Sequence, residues 1–335
     1  MNTNVAETLE HLKNLGFLIN YKKSNLQPQR LQEFLGFQFN TSTMTIELPQ
    51  QKLKKIISRI RQVKKSTTTF SCRWIASLIG KMTAVIPAID EALLHLRFLQ
   101  RDLARSLHIQ HQNWEGPCHL TRRSLEDLEW WEEFSGTNNG LPIHKEDFSS
   151  PPAVDIYVDA SDSGYGISSV ETETYGFWTQ AEKATSINVR ELQTVLIALQ
   201  LHAEKYQNNP IRIFSDNTTA IKYVMKAGGT ASPTLQDLAL KIHTILNQFK
   251  IRLQCVHIPG INNIRADQLS RMQKPLYEWT LPRSIFNQIQ RKWGPLMIDA
   301  FAAHHNHLLP KYWSIRPDPA AMQIDAFKQQ WPKIH

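Results

Sequence analysis

Val154–Gly166 reads VDIYVDASDSGYG, and its reading decides the fold. Val154, Ile156 and Val158 alternate with Asp155, Tyr157 and Asp159, which is the period of a strand with one buried face. Ser161, Asp162, Ser163 and Gly164 then make a turn that sends the chain back. A carboxylate on a core strand costs desolvation unless a positive group meets it. Asp159 therefore either opens the hairpin as an ordinary turn residue or belongs to a site.

Three further carboxylates repeat this setting. Glu191 lies in SINVRELQTVLIALQLHAEKY, where Leu192, Val195, Leu196, Leu199 and His202 recur at helical spacing after a cap at Ser186 or Asn188. Asp216 sits just past a short buried strand that contains Ile211, Ile213 and Phe214. Asp267 falls on a helix, Ile264 to Arg271, which follows a strand from Ile251 to His257 and a Pro-Gly turn. Strand ends and helices of one βα-rich segment can meet at a point. Carboxylates meet there only when cations neutralise them. An all-oxygen donor set suits Mg²⁺ or Mn²⁺.

DASDSGYG, NVRELQTV, FSDNTTAIKYV and NNIRADQLS, in that order, resemble the motifs of type 1 ribonuclease H over Pro152 to Met272. The resemblance implies an α/β fold: a mixed five-stranded sheet, antiparallel hairpin strands followed by parallel ones, with flanking helices. It also implies hydrolysis of the RNA strand of an RNA–DNA hybrid with two Mg²⁺ or Mn²⁺ ions about 4 Å apart. Asp159 would bridge both ions, Glu191 and Asp216 would hold one, and Asp267 the other. Ser215 or Asn217 would touch the substrate strand or else be ordinary turn residues after a strand, and Asn263, a further candidate nucleic-acid contact, matches the family's NxxAD asparagine. Two departures stand out. The loop Pro259–Asn263 lacks the family's histidine, with His257 lying upstream, and Ala227–Thr234 (AGGTASPT) lacks the basic handle of some members.

The chain has 335 residues, 41% of them hydrophobic and 20% charged, enough for two or three domains with ample core. A net charge of +8 favours an anionic partner. Cys72, Cys118 and Cys255 have no pairing or metal spacing, which fits buried thiols in a reducing compartment. No apolar run reaches the length of a membrane span, and the N-terminus does not read as a signal peptide. Nucleus and cytoplasm are equally compatible.

Val5 to Leu15 reads as a helix ended by Gly16, followed by a strand at Phe17–Ile19. Phe34–Phe39 and Met44–Leu48 read as two strands joined by a polar turn. LGFLINYKKSNLQP, EFLGFQFN and MTIELPQQKL resemble the end of a reverse transcriptase palm with its primer-gripping hairpin (residues 1–49). No YxDD motif follows from any part of the sequence. The expectation is a chain that starts downstream of the polymerase centre of a longer polyprotein, whose upstream palm would be a partner, and that makes no DNA alone.

Gln50–Lys65, QQKLKKIISRIRQVKK, holds seven Lys or Arg and no acid, with an apolar stripe at Leu53, Ile56, Ile57, Ile60 and Val63. Such a run is either a solvated face or a phosphate contact. Helices are expected at Trp74–Ile86 and Ile89–Ala104. Residues 50–112 resemble a reverse transcriptase thumb, which implies contact with a template–primer duplex. Lys52, Lys54, Lys55, Arg59 and Lys81 are its candidate residues. Residues 113–151 read as a connection, with Trp130 and Trp131 at a junction rather than on bases. Residues 152–273 form the ribonuclease H-like domain. Residues 274–335 contain a short helix and a strand ending at Asp299, and resemble the start of the methyltransferase-like region of DIRS-type retrotransposons, too short for methyl transfer. His304, His305 and His307 lack the further ligands of a zinc site. Two rivals to a nuclease remain: a fragment that binds hybrid without cutting it, and an inactive, degenerate element product.

Overall fold

Apolar periodicity is honoured through most of the chain, and the exceptions occur where a turn or a buried polar contact overrides it. The computed structural model describes residues 2–66, 69–144, 151–273 and 279–322. Two compact units result, Met1–Glu146 and Asp147–His335.

The first unit opens with α1 (Asn2–Asn14), closed by Gly16 at φ +87°. Phe17–Ile19 is not a strand: Phe17 and Leu18 are 60% and 99% exposed and join no sheet among the described residues, and the Phe17 amide donates back to the Leu12 carbonyl at 3.0 Å. Three strands follow in antiparallel order, β1 (Leu31–Phe34), β2 (Phe37–Asn40) and β3 (Thr45–Glu47). The expected single strand at 34–39 is split, because Leu35 and Gly36 both take positive φ (49° and 80°), the requirement of a tight hairpin turn. The helices are α2 (Gln50–Lys65), α3 (Cys72–Thr83), α4 (Arg97–Ile109) and α5 (Arg122–Phe134). The helix expected from Ile89 begins only at Arg97. Glu91 has φ +58° and His95 leaves helical geometry, while the Trp131 indole donates to the His95 carbonyl at 2.8 Å. Ile60, Leu78, Leu99, Leu128 and Trp131 are fully buried in this unit's core. Trp130 stacks on His95 at 4.2 Å, so the tryptophan pair anchors α5. Cys72 and Cys118 lie side by side, and burial pushes the Cys118 thiol up to about 12. β4 (Leu141–Pro142) returns to pair with β3. There the Asn139 side chain accepts from the Leu48 amide at 2.7 Å and donates to its carbonyl at 3.0 Å.

The second unit is built on β5 (Val154–Ala160), β6 (Gly164–Ser169) and β7 (Glu173–Phe177), then α6 (Gln180–Lys183), α7 (Ile187–His202), β8 (Pro210–Ser215), α8 (Thr218–Met225), α9 (Pro233–Gln248), β9 (Arg252–His257), α10 (Ile264–Ser270) and α11 (Arg283–Trp293). The sheet order is β7-β6-β5-β8-β9. β5, β6 and β7 pair antiparallel; β8 and β9 join β5 in parallel. Val154, Ile156 and Val158 are buried as the alternation requires. On the other face Asp155 takes both ends of the Arg212 guanidinium, at 2.8 and 2.6 Å, and Tyr157 stacks on Phe214. Gly166 lets α10 lie directly on β6, while a Cβ at Gly164 would fall on the Gly176 carbonyl of β7. A Cβ at Gly166 would fall on the Ala266 carbonyl and the Ser270 amide.

After α11 the chain forms turns rather than a strand at Asp299, which makes one isolated bridge with Tyr312. These turns pack on β7. Thr174 Oγ1 donates to the Pro317 carbonyl at 3.1 Å, and Arg316 lies 4.5 Å over the Tyr175 ring. No described helix is long and apolar enough to cross a membrane.

Candidate active site

Each carboxylate owes its place to the element that carries it. Asp159 rides the centre of the sheet, near the end of β5. Glu191 is in the second turn of α7, whose face buries Leu192, Val195 and Leu199. Asp216 follows the last residue of β8, where the next residue, Asn217, caps α8 by accepting from the Ala220 amide at 2.9 Å. One oxygen from each of Asp159, Glu191 and Asp216 lies within 4.8 Å of the others. Asp267, on α10, stands outside this trio and faces Arg271, whose Nε donates to Oδ1 at 2.7 Å.

The electrostatics follow from burial and like charge. Asp159 is 5% exposed; burial raises its carboxyl above the ordinary range, and Asp216 and Asp267 add to the rise against a hydrogen bond from Ser270. Glu191 is 4% exposed and is pushed up to about 9, by burial first and then by Asp159 and Asp216. Its Oε2 is buried without a hydrogen-bond partner among the described residues. Packed carboxylates with an unpaired oxygen are the environment a hard divalent cation satisfies, and their all-oxygen donors fit Mg²⁺ or Mn²⁺.

Sequence reasoning overlooked Ser270. Its hydroxyl donates to Asp159 Oδ2 at 2.5 Å, and its carbonyl accepts from Ser161 Oγ at 2.6 Å. It sits three residues past Asp267 on the same helix, and that i,i+3 spacing was the available signal. Arg190 was also overlooked: it is 6% exposed and reaches the Asp162 carboxylate at 2.9 Å, bracing the turn beside Asp159. If the carboxylates form the nuclease centre that the sequence resemblance implies, Ser270→Ala is expected to leave the fold intact and lower cleavage about tenfold or more, as loss of a supporting hydrogen bond to a metal ligand does. Equal single-turnover rates for variant and wild type would sink that role.

Two of the expected substrate contacts face inward. Ser215 is 1% exposed and its Oγ accepts from the Asn217 amide at 3.1 Å. Asn263 is 1% exposed and donates to the Val158 carbonyl at 2.8 Å, tying the loop before α10 to β5. Both side chains bond to the backbone of their own unit. Asn217 is half-buried and donates to Asn188 at 2.9 Å. His257 is exposed, with Nε2 3.1 Å from the Asp216 carbonyl. The three tail histidines diverge. His304 meets Glu182, His305 packs edge-on against Phe177, and His307 stacks on Tyr312, so they do not share a metal position.

On α2 the cations separate into engaged and open. Lys52 donates to the Gly36 carbonyl, Arg59 lies 4.4 Å over the Trp74 ring, and Arg61 and Lys64 pair with Glu132. Lys54 and Lys55 are exposed, as is Lys81 on α3. If α2 makes the phosphate contacts that the sequence resemblance implies, Lys54→Ala with Lys55→Ala is expected to weaken hybrid binding and flatten its log–log salt dependence by about one to two units. An unchanged slope would take α2 out of the interface.

No family model matches the chain, and no curated protein matches it. Among solved structures, ribonuclease H1 from the halophilic archaeon Halobacterium salinarum NRC-1 is 23% identical over 35% of this chain and 92% of its own, with a TM-score of 0.29. LC11 ribonuclease H1 in complex with RNA/DNA hybrid is 23% identical over 35% of this chain and 92% of its own, with a TM-score of 0.30. The foamy viral protease–reverse transcriptase in complex with RNA/DNA hybrid is 17% identical over 83% of this chain and 36% of its own, with a TM-score of 0.32. The sheet order and the helices that flank it define the second unit as an α/β protein of ribonuclease H-like fold.

Proposed function

We propose that the second unit is a metal-dependent ribonuclease that hydrolyses the RNA strand of RNA–DNA hybrids, as part of a retroelement reverse transcriptase. The observation that carries this reading is the convergence of Asp159, Glu191 and Asp216 within 4.8 Å, with Asp267 on the helix beside them. Asp159, Glu191, Asp216 and Asp267 would hold two Mg²⁺ or Mn²⁺ ions. Bound there, the ions supply a nucleophilic water and charge for the leaving 3′ oxygen. The chain's own residues do the positioning. Ser270 fixes the Asp159 carboxylate, Arg190 braces the turn that follows it, and Asn263 clamps the loop before α10 to β5. The Arg271 guanidinium holds Asp267 by its Nε.

The test is cleavage of a labelled hybrid by the full chain, with Mg²⁺ and with chelator. Metal-dependent cutting of the RNA strand alone is expected. Binding without cutting would support the second reading, a hybrid-binding fragment, which the exposed Lys54 and Lys55 favour. Neither binding nor cutting would leave a degenerate product.

A further inference from the structure

Beside the carboxylates, the second unit carries a cleft of about 410 Å³, and of its lining residues the roles above use Arg271 alone. Ser163 of the β5–β6 turn forms one side. Trp178, Gln180 and Lys183 form another, Arg271 at the end of α10 a third, and His305 of the tail closes it. Among the described residues, no Asp or Glu lines it.

The cleft is constructed rather than incidental. Trp178 is 2% exposed and its indole donates to the Ser161 carbonyl at 3.1 Å, fixing one wall to the turn next to Asp159. α6 is held by a capping box between Thr179 and Glu182. Glu182 is further gripped by Gln193 Nε2 at 2.5 Å and by His304 Nε2 at 3.0 Å. The tail thus engages the one acid of α6, and Lys183, the next residue, stays exposed at the cleft. Arg271 uses its Nε on Asp267, and a guanidinium has four further N–H donors.

We propose that this cleft is a second contact site for bound nucleic acid and takes a backbone phosphate flanking the scissile bond, with Lys183 and Arg271 supplying the charge. The inference rests on the reading of this unit as a hybrid nuclease. Each strand of a duplex carries a charge about every 3.4 Å along its axis. A strand with its scissile phosphate on the carboxylates therefore carries further charges past the adjoining surface, and this cleft adjoins Asp267 through Arg271. The tail becomes a wall of the substrate channel.

The test uses the full chain and an RNA–DNA hybrid in chelator, so that binding is read without cleavage. Lys183→Gln is expected to weaken binding about three- to tenfold and to reduce the salt slope by about one unit, while Lys183→Arg retains both. Neutral methylphosphonate linkages, placed singly in either strand, then locate the contact. One position should reproduce the loss in wild type and have no effect in Lys183→Gln, and the strand it lies in identifies the strand held. Lys183 is exposed, and unchanged melting checks that the variants are folded. If wild type binds and cuts hybrid but Lys183→Gln keeps the wild-type slope, the cleft proposal alone fails. If wild type neither binds nor cuts, the nuclease reading fails and takes the cleft with it.

Discussion

Asp159→Asn is expected to lower Mg²⁺-dependent cleavage of an RNA–DNA hybrid by about three orders of magnitude or more while leaving hybrid affinity equal or higher. The effect is large because Asp159 is central: it is buried on the middle strand, fixed by Ser270, and adjoins both Glu191 and Asp216. Losing its charge removes a ligand and disturbs the positions of the others, and three orders correspond to about 4 kcal/mol of barrier. Affinity should not fall, because a negative group that would face phosphate has gone. Single-turnover cleavage and chelator-based binding on the same hybrid separate the two readouts. Retention of a tenth or more of the wild-type rate would remove Asp159 from the reaction.

The second large effect concerns stability. The Glu191 carboxyl is pushed up to about 9 from an ordinary 4.5, first by burial and then by Asp159 and Asp216. Between those values the folded, metal-free protein retains a proton that the unfolded chain has released. Stability then falls as pH rises from about 4.5 toward 9, since the folded state binds more protons. Asp159, shifted in the same direction, adds to the decline. A separation of even two units corresponds to about 2.7 kcal/mol. Glu191→Gln is therefore expected to abolish cleavage yet raise the melting temperature of chelated protein above neutral pH by several degrees, at roughly 2–4 °C per kcal/mol. Mg²⁺ should stabilise wild type and release protons, and do neither in the variant. A scanning-calorimetry pH series on both proteins decides it; parallel curves would mean that Glu191 is ionised in the folded chain.

The parts of this architecture that sequence reveals are those written in periodicity. β5 was legible because Val154, Ile156 and Val158 alternate, and α2 because its apolar stripe recurs every three to four residues between Pro49 and Ser66. The trio of carboxylates was legible because Asp159 and Glu191 lie on, and Asp216 just past, a recognisable strand or helix. Ile89–Leu96 misled because its apolar spacing continues through residues that tertiary contacts pull out of a helix: Asp90 donates its amide to the Asn138 carbonyl, and His95 is tied to Trp131. The Leu35–Gly36 turn was hidden because leucine rarely takes positive φ. The inward bonds of Ser215 and Asn263 were not legible for another reason. A small polar side chain beside an acid can turn toward substrate or toward a backbone group, and no local pattern distinguishes the two. Ser270 carries no charge; its i,i+3 spacing from Asp267 marks the helix face, but its bond to Asp159 needs the assembled helix and strand.

The bracket that Asn139 places around Leu48 bears on how the first unit comes into being on the ribosome. β3 is complete by residue 47, yet its outer neighbour, β4, and the amide that clasps the next residue arrive some ninety positions later. The sheet that begins this unit is therefore finished by the residues that end it. Closing so long a loop precedes the contacts that reward it, which slows folding. The stretches 1–49, 50–112 and 113–144 should accordingly not mature one after another during synthesis. They should gain protease resistance together, once Pro142 has cleared the exit tunnel.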